Sequence, residues 1–102
     1  MDTLYYKGEV GRTISQTTGF DWTSNTAKQV IIEKPSGETI TKTGSDVSVD
    51  DAATGQIHVT VAAGELDEAG EYMFQAKCTI SSVVKFGPMM HFFVEDVLTA
   101  SA

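Results

Sequence analysis

Apolar and polar residues alternate along several segments of this chain, and the alternation predicts β-strands. In the longest segment, every second residue from Tyr72 to Ile80 is aromatic, aliphatic or cysteine, which is the period of a strand with one buried face. The same period recurs in two shorter segments, with apolar residues at Ile57, Val59 and Val61 and at Met90, Phe92 and Val94. These three segments are predicted to be half-buried strands.

Glycine and proline divide the rest of the chain into further short segments. Residues 34–37, with the sequence Lys-Pro-Ser-Gly, predict a tight turn, and the Gly-Pro pair at 87–88 interrupts the last apolar region. Residues 28–34 predict a central strand, because three of them are consecutive aliphatic residues. Ala62–Ala69 is the one helical candidate, and it is short enough that we expect a turn or a single helical loop.

This organisation predicts an all-β fold of about seven short antiparallel strands, arranged as a β-sandwich or a small barrel. We expect one domain over residues 1–97 and a short tail over residues 98–102, which are small and weakly polar. No apolar run reaches the roughly 18–20 residues of a membrane span, so a membrane is not an expected partner. The first residues lack the basic and apolar stretches of a signal peptide, which predicts synthesis in the cytoplasm.

Composition excludes further classes of protein. The 102 residues include 14 acidic and 7 basic ones, for a formal charge of −7. An acidic surface repels phosphate backbones, so nucleic acid is not an expected partner either. A single cysteine, Cys78, cannot form an internal disulfide, which excludes the disulfide-stapled secreted domains.

The segment before the longest predicted strand has a distinctive pattern. An acidic loop of small residues, 65–70, leads into Tyr72 at the start of the strand. In immunoglobulin-like sandwiches a tyrosine at this point hydrogen-bonds back to the loop upstream of it. Those domains often carry a cysteine two residues later, where this chain has Phe74 as a buried filler. The pattern fits an immunoglobulin-like domain made in a reducing compartment.

Several short motifs, taken in order, resemble the small immunoglobulin-like virion domains of tailed bacteriophages, including the N-terminal domain of phage baseplate upper proteins. The motifs are residues 7–11 with Ile14, residues 30–37, residues 51–57, Leu66 with residues 69–72, residues 75–76, and Gly87-Pro88 followed by Phe92 and Val94. The resemblance covers roughly residues 7 to 95. It implies a β-sandwich that is a structural module of the virion, in the tail or baseplate, with no catalytic residues or cofactor.

Residue types that support chemistry are few. His58 and His91 occupy outward positions of two predicted strands and would meet only if those strands pair, so solvated histidines are the expected arrangement. Asp46, Asp50 and Asp51 could hold a hard cation, but turn-forming aspartates explain them as well. No nucleophile motif, phosphate loop or paired metal-ligand spacing occurs. We therefore expect no enzymatic activity, no metal and no cofactor.

The candidate functional residues are instead apolar side chains that the pattern leaves outside the core. Met89, His91 and Phe93 fall on the outward side of the last strand, and one of the adjacent Tyr5 and Tyr6 must also face outward. A further aromatic residue, Trp22, lies in a polar stretch without periodicity. If these aromatic residues cluster on the surface, they mark a protein–protein interface. Alternatively, some of them fold back as caps on the ends of the sandwich. Both interpretations are open at this point.

The resemblance thus implies a virion structural protein, and we expect it to act through contacts with other virion proteins and with symmetric copies of itself. Exposed aromatic patches or open strand edges would provide the contacts. A carbohydrate-binding module is the alternative, with Trp22 and the tyrosines stacking on a host-surface sugar. A head decoration protein is a third reading, which differs from the first in location rather than in chemistry.

Overall fold

The computed structural model describes residues 5–97, and the predicted tail at 98–102 lies outside the described residues. The described chain forms nine β-strands and one short 3₁₀ helix, Gly44–Asp46. The strands are β1 (Tyr5–Tyr6), β2 (Thr13–Thr17), β3 (Asn25–Glu33), β4 (Thr39–Thr43), β5 (Val47–Asp51), β6 (Gln56–Thr60), β7 (Gly70–Ile80), β8 (Val83–Phe86) and β9 (Met90–Glu95). The prediction of an all-β fold is confirmed.

The strands form two sheets. The larger sheet has six strands in the order β1-β9-β7-β3-β4, with β8 also paired to β7, and the smaller sheet has the order β2-β6-β5. The short strand β1 runs parallel to β9, and every other pair is antiparallel. Strand β8 pairs with the second half of β7 and β9 with the first half, so the two follow one another along the same side of β7.

The inner faces of both sheets contribute to a single hydrophobic core. The smaller sheet supplies Ile14, Val47, Ile57 and Val59, and the larger one supplies Val30, Ile32, Tyr72, Phe74, Ala76, Cys78, Phe92 and Val94. Burial alternates along β7, as the sequence pattern predicted, because successive side chains of a strand point to opposite faces. The same holds for β6 and β9. Hydrophobic burial on these two faces is the main source of the fold's stability.

Several other predictions also have clear outcomes. The predicted central strand falls within β3, which lies between β7 and β4. The predicted tight turn joins β3 to β4, with Gly37 at a φ of 95° and its N–H donating to the carbonyl of Lys34 at 2.8 Å. The prediction of about seven strands is wrong, since there are nine in the described chain. Two short segments account for the difference: β1 has two residues, and the last strand is divided into β8 and β9 around Gly87-Pro88.

The loop before β7 is held by the tyrosine that the sequence singled out. The hydroxyl of Tyr72 donates to the carbonyl of Glu65 at 3.3 Å and accepts from the N–H of Glu68 at 3.2 Å. Lys34 adds an ion pair with Asp67 at 2.8 Å. The loop is therefore fixed from two sides, and its dominant form is a turn rather than a helix.

Trp22 closes one end of the core, beyond the last residues of β7. Its side chain is fully buried, its indole N–H donates to Thr18 Oγ1 at 2.8 Å, and its ring stacks on Phe20 at 5.7 Å. Gly55 lies beside this loop at a φ of 75°, and a Cβ there would overlap Thr18 Oγ1 and the carbonyl oxygen of Phe20. The close approach of two loops therefore requires glycine at this position.

Candidate protein-interaction surface

Strand register determines which side chains share the outer face of the larger sheet, the face turned away from the core. Directly paired residues of neighbouring strands point to the same face. The outward residues of β7 are paired with Phe93, His91, Phe86 and Val84 on the two strands beside it. Because Tyr72, Phe74 and Cys78 alternate with these positions and point into the core, the four partners face outward.

Four large apolar side chains follow one another along this face, and we call them the outer column: Val84, Phe86, Met89 and Phe93. Each is more than half exposed, at 55%, 57%, 52% and 54% in that order. At about 3.3 Å per residue, the column extends over about 30 Å. Single exposed apolar residues are ordinary, but four large ones along one side of a sheet face, with His91 among them, are typical of a binding surface.

The structure brings four of the six predicted interface residues together on this face. Met89 and Phe93 belong to the outer column, and His91 lies between them on β9 at 3.4 Å from Glu71. Tyr6 is 41% exposed and is paired with Glu95. This pairing places Tyr6 on the outer face too, one strand beyond the column.

Tyr5 and Trp22 require a correction, because neither is available at the surface. Tyr5 is 6% exposed, packs edge-on against Phe92 with ring centroids 5.2 Å apart, and is covered by the guanidinium of Arg12. Trp22 is fully buried, as described above. The hypothesis that aromatic residues cap the end of the sandwich is therefore the right one for Trp22. Adjacent tyrosines in a strand point to opposite sides, which explains why only one of the pair is exposed.

Sequence reasoning missed half of the outer column, Val84 and Phe86. Their strand is exposed on both faces, so it has no apolar alternation to reveal it. The turn before it, Ser81-Ser82, has positive φ at both residues, as a type I′ hairpin turn requires. Because asparagine and glycine are the usual residues of that turn, a serine pair gives no clear signal of a hairpin.

Positive charge is concentrated beside the β8 end of the column. Within residues 5–97, Lys28, Lys77 and Lys85 form no ion pair with a carboxylate, while Lys7, Arg12 and Lys42 each have a carboxylate partner and Lys34 has two. The Nζ of Lys77 lies 5.8 Å from the ring centre of Phe86, and the Nζ of Lys85 lies 5.7 Å from that of Phe20. Lys77 lies on the outer face beside Phe86, whereas Lys28 and Lys85 are both paired with Cys78 and lie on the other face of the sheet.

The outer face also has two depressions next to the column. A groove of about 440 Å³ lies between β3, β7 and β8 and includes Gln29, Lys77 and Val84 in its lining. A smaller hollow of about 110 Å³ lies beside Met89, above Ile31. The outer column therefore lies beside two depressions, which side chains of a partner can fill.

The two histidines lie far from one another, each beside one carboxylate. The Nδ1 of His58 lies 2.8 Å from Asp50, on the smaller sheet, whereas His91 lies on the larger one. The strands of the two histidines do not pair, so the side chains do not meet. In the described part of the chain, no group of three or more His, Cys, Asp or Glu residues could hold a metal ion. Burial raises the pKa of the Cys78 thiol, which disfavours its nucleophilic thiolate form.

We compared the chain with protein families, curated proteins and solved structures. No protein-family model matches the chain, and no curated protein or solved structure matches it. Within residues 5–97, none of the helical structure is long and apolar enough to cross a membrane.

Proposed function

We propose that the chain is an immunoglobulin-like β-sandwich and serves as a non-enzymatic structural protein of a tailed-bacteriophage particle, in the tail or baseplate. The strand order supports the fold. In immunoglobulin-like domains, strands B, E and D lie in one sheet and strands C, F and G in the other. Here β2-β6-β5 have the order B-E-D, β3 and β7 correspond to C and F, and β8 with β9 corresponds to a divided G strand.

The tyrosine at the start of β7 supports the same assignment. Immunoglobulin-like domains often have such a tyrosine near the start of strand F, hydrogen-bonded to the backbone a few residues upstream. Tyr72 makes this bond to Glu65. Phe74, two residues later, is fully buried where an extracellular relative would have a disulfide cysteine. Packing replaces the covalent bond in this core.

The observation that carries the proposed function is the outer column. It gathers Val84, Phe86, Met89 and Phe93 on one exposed face, and proteins rarely leave such a row in water without a partner. The resemblance to virion domains is the reason for proposing that the partner belongs to a phage particle. Burying the column against a neighbouring virion protein would remove apolar surface from water, which is the dominant driving force of association.

No observation favours the carbohydrate-binding alternative. That reading required Trp22 and the tyrosines as a stacking platform, but Trp22 and Tyr5 are in the core. Tyr6 is the one member of that set that is exposed, and it is paired with Glu95 at the edge of the larger sheet. A decoration protein of the head would use the same surface, so it differs from the proposal in location alone.

The proposal is tested by substituting one residue of the column. Phe93→Ala should leave the isolated domain folded, because the side chain is 54% exposed, and should lower the number of copies per purified particle. Truncating an interface aromatic costs about 2 kcal/mol, or about thirtyfold in affinity. Val10→Ala is the matched control, since Val10 is 62% exposed but lies outside the larger sheet.

Quantitative mass spectrometry of particles assembled with each variant gives the copy number. The proposal expects depletion for Phe93→Ala and wild-type levels for Val10→Ala. Equal incorporation of both variants would show that the outer column is not part of the assembly surface.

A further inference from the structure

Strand β8 is an open edge of the larger sheet. Within the described chain it pairs with β7 alone, whereas β9, the strand that continues along the same side, is paired with β1 at its last two residues, Val94 and Glu95. All four residues of β8 are exposed. An unpaired strand edge offers backbone hydrogen-bonding groups to a strand from another chain.

The hydrogen bonds identify which backbone groups of β8 are available. The N–H of Gly87 donates to the carbonyl of Ala76 on β7 at 2.8 Å. In antiparallel pairs the residues that bond to the neighbouring strand alternate with residues that do not. Counting back from Gly87, the N–H and C=O groups of Val84 and Phe86 therefore point away from β7. These are the groups that an added strand would bond.

The side chains specify the chemistry of that strand. Val84 and Phe86 lie on the outer face, so the positions opposite them should be apolar. Lys85 is paired with Cys78 and lies on the other face of β8, where an acidic residue would neutralise it. Lys28 is also paired with Cys78, so it lies on the same face as Lys85, and neither lysine has a carboxylate partner within residues 5–97.

We infer that the β8 edge binds an extended segment of another protein in which apolar and acidic residues alternate, by adding it as a further strand. This inference rests on the proposed function and deepens it, because it names the kind of partner that the β8 end of the outer column takes. Backbone hydrogen bonds would supply affinity, and the charge of Lys85 would select the acidic sequence.

A second copy of β8 does not meet these requirements. Two-fold pairing of β8 with its counterpart would bring Lys85 of both chains onto the same face of neighbouring strands. Like charges on neighbouring strands are destabilising. Edge lysines discourage self-pairing in many sheets, and the same charges favour a partner of opposite sign.

Capped octapeptides provide the probe, one alternating valine and glutamate and the other alternating valine and lysine. We expect the glutamate peptide to bind saturably to the full chain, to shift the amide resonances of Val84 and Phe86, and to bind less tightly as salt is added. The lysine peptide should bind at least about tenfold more weakly. Binding of both peptides with equal affinity would refute the charge selection, and binding of neither would refute the inference as a whole.

Two substitutions at one position separate the backbone from the side chain. Val84→Pro removes an outward N–H without touching the bonds to β7, since proline is tolerated where an edge N–H faces solvent. We expect it to weaken the glutamate peptide about tenfold, the loss of about 1.4 kcal/mol. Val84→Thr keeps the N–H and a β-branched shape and should bind within about threefold of the wild type. Equal affinities of the two variants would contradict strand addition.

Charge reversal tests the selection independently. Lys85→Glu should reverse the preference, so that the lysine peptide binds more tightly than the glutamate peptide. Concentration-dependent dimerisation that Val84→Pro abolishes would instead show that β8 pairs with itself and would overturn the choice of partner. Each of these results is separate from particle incorporation, which tests the proposed function through Phe93.

Discussion

Replacing Tyr72 by phenylalanine should remove the hydrogen bonds that hold the loop before β7, without disturbing the core. The ring is fully buried and stacks on Phe92 at 5.2 Å, so phenylalanine keeps the packing and loses only the hydroxyl. That hydroxyl makes two hydrogen bonds, to the carbonyl of Glu65 and from the N–H of Glu68. At about 0.5–1.5 kcal/mol for each bond, the free energy of unfolding should fall by about 1–3 kcal/mol.

For a domain of this size, such a loss lowers Tm by about 4–8 °C per kcal/mol. Urea unfolding followed by circular dichroism should show a lower midpoint with an unchanged slope. Tyr6→Phe is the matched control, because Tyr6 is exposed and its hydroxyl has no hydrogen bond within residues 5–97. It should change stability by less than about 0.5 kcal/mol.

Amide hydrogen exchange adds a local measurement. The Glu68 N–H should lose protection in Tyr72→Phe, because its acceptor is the missing oxygen. If Tyr72→Phe and Tyr6→Phe were equally stable and the Glu68 amide kept its protection, the tyrosine would not be what holds this loop.

Three further predictions concern the rest of the fold. Gly55→Ala should lower the free energy of unfolding by about 2–5 kcal/mol in thermal unfolding, because the new side chain meets both a positive φ and steric overlap. Gly37→Ala has open space around the new Cβ and should cost only about 1–2 kcal/mol. Equal losses for the two variants would contradict the packing argument. The hydrogen bond from Lys34 lowers the pKa of Asp67, so this pair stabilises the fold above pH 4 or so and the contribution is lost as pH falls through the lowered pKa. Asp67→Asn should therefore flatten the acid side of the stability–pH curve, and an unchanged curve would refute the linkage. Cys78, 1% exposed, should react with iodoacetamide at least about 100-fold more slowly in the native protein than in urea, and rapid native labelling would show that the thiol is accessible.

The sequence predicts well the features that depend on local alternation and local hydrogen bonds. The buried face of β7 follows directly from a period of two, and so does the exposure of Phe93 on β9. The bond from Tyr72 to Glu65 spans only seven residues, so the segment that contains both partners is sufficient to suggest it. The turn after β3 is likewise set by its own proline and glycine.

Features that depend on contacts between distant segments could not be predicted in this way. Trp22 lies in a polar stretch without periodicity, and its burial depends on a loop more than 30 residues away that approaches it at Gly55. Strand β8 follows a hairpin turn made of serines and is exposed on both faces, so neither a turn signal nor an alternation marks it. Which lysines remain without a carboxylate partner also depends on the three-dimensional arrangement.

The role of the charge follows from the same arrangement. With a net charge of −7, copies of the chain should repel one another electrostatically. Four of the seven basic residues are paired with carboxylates at the ends and edges of the sheets. The remaining three lie on the neighbouring strands β3, β7 and β8, and Lys85 is the one on the open edge strand itself.

The most direct test of the proposed virion role is to look for the protein in intact, purified particles of a tailed bacteriophage. Electron cryo-microscopy of purified particles should show a two-sheet domain at a fixed, repeated position in the tail or baseplate, with the outer column against a neighbouring protein. Mass spectrometry of the same particles should detect the chain at a constant number of copies. Its absence from purified particles would contradict the virion assignment, and a domain whose outer column faces solvent would contradict the assembly surface.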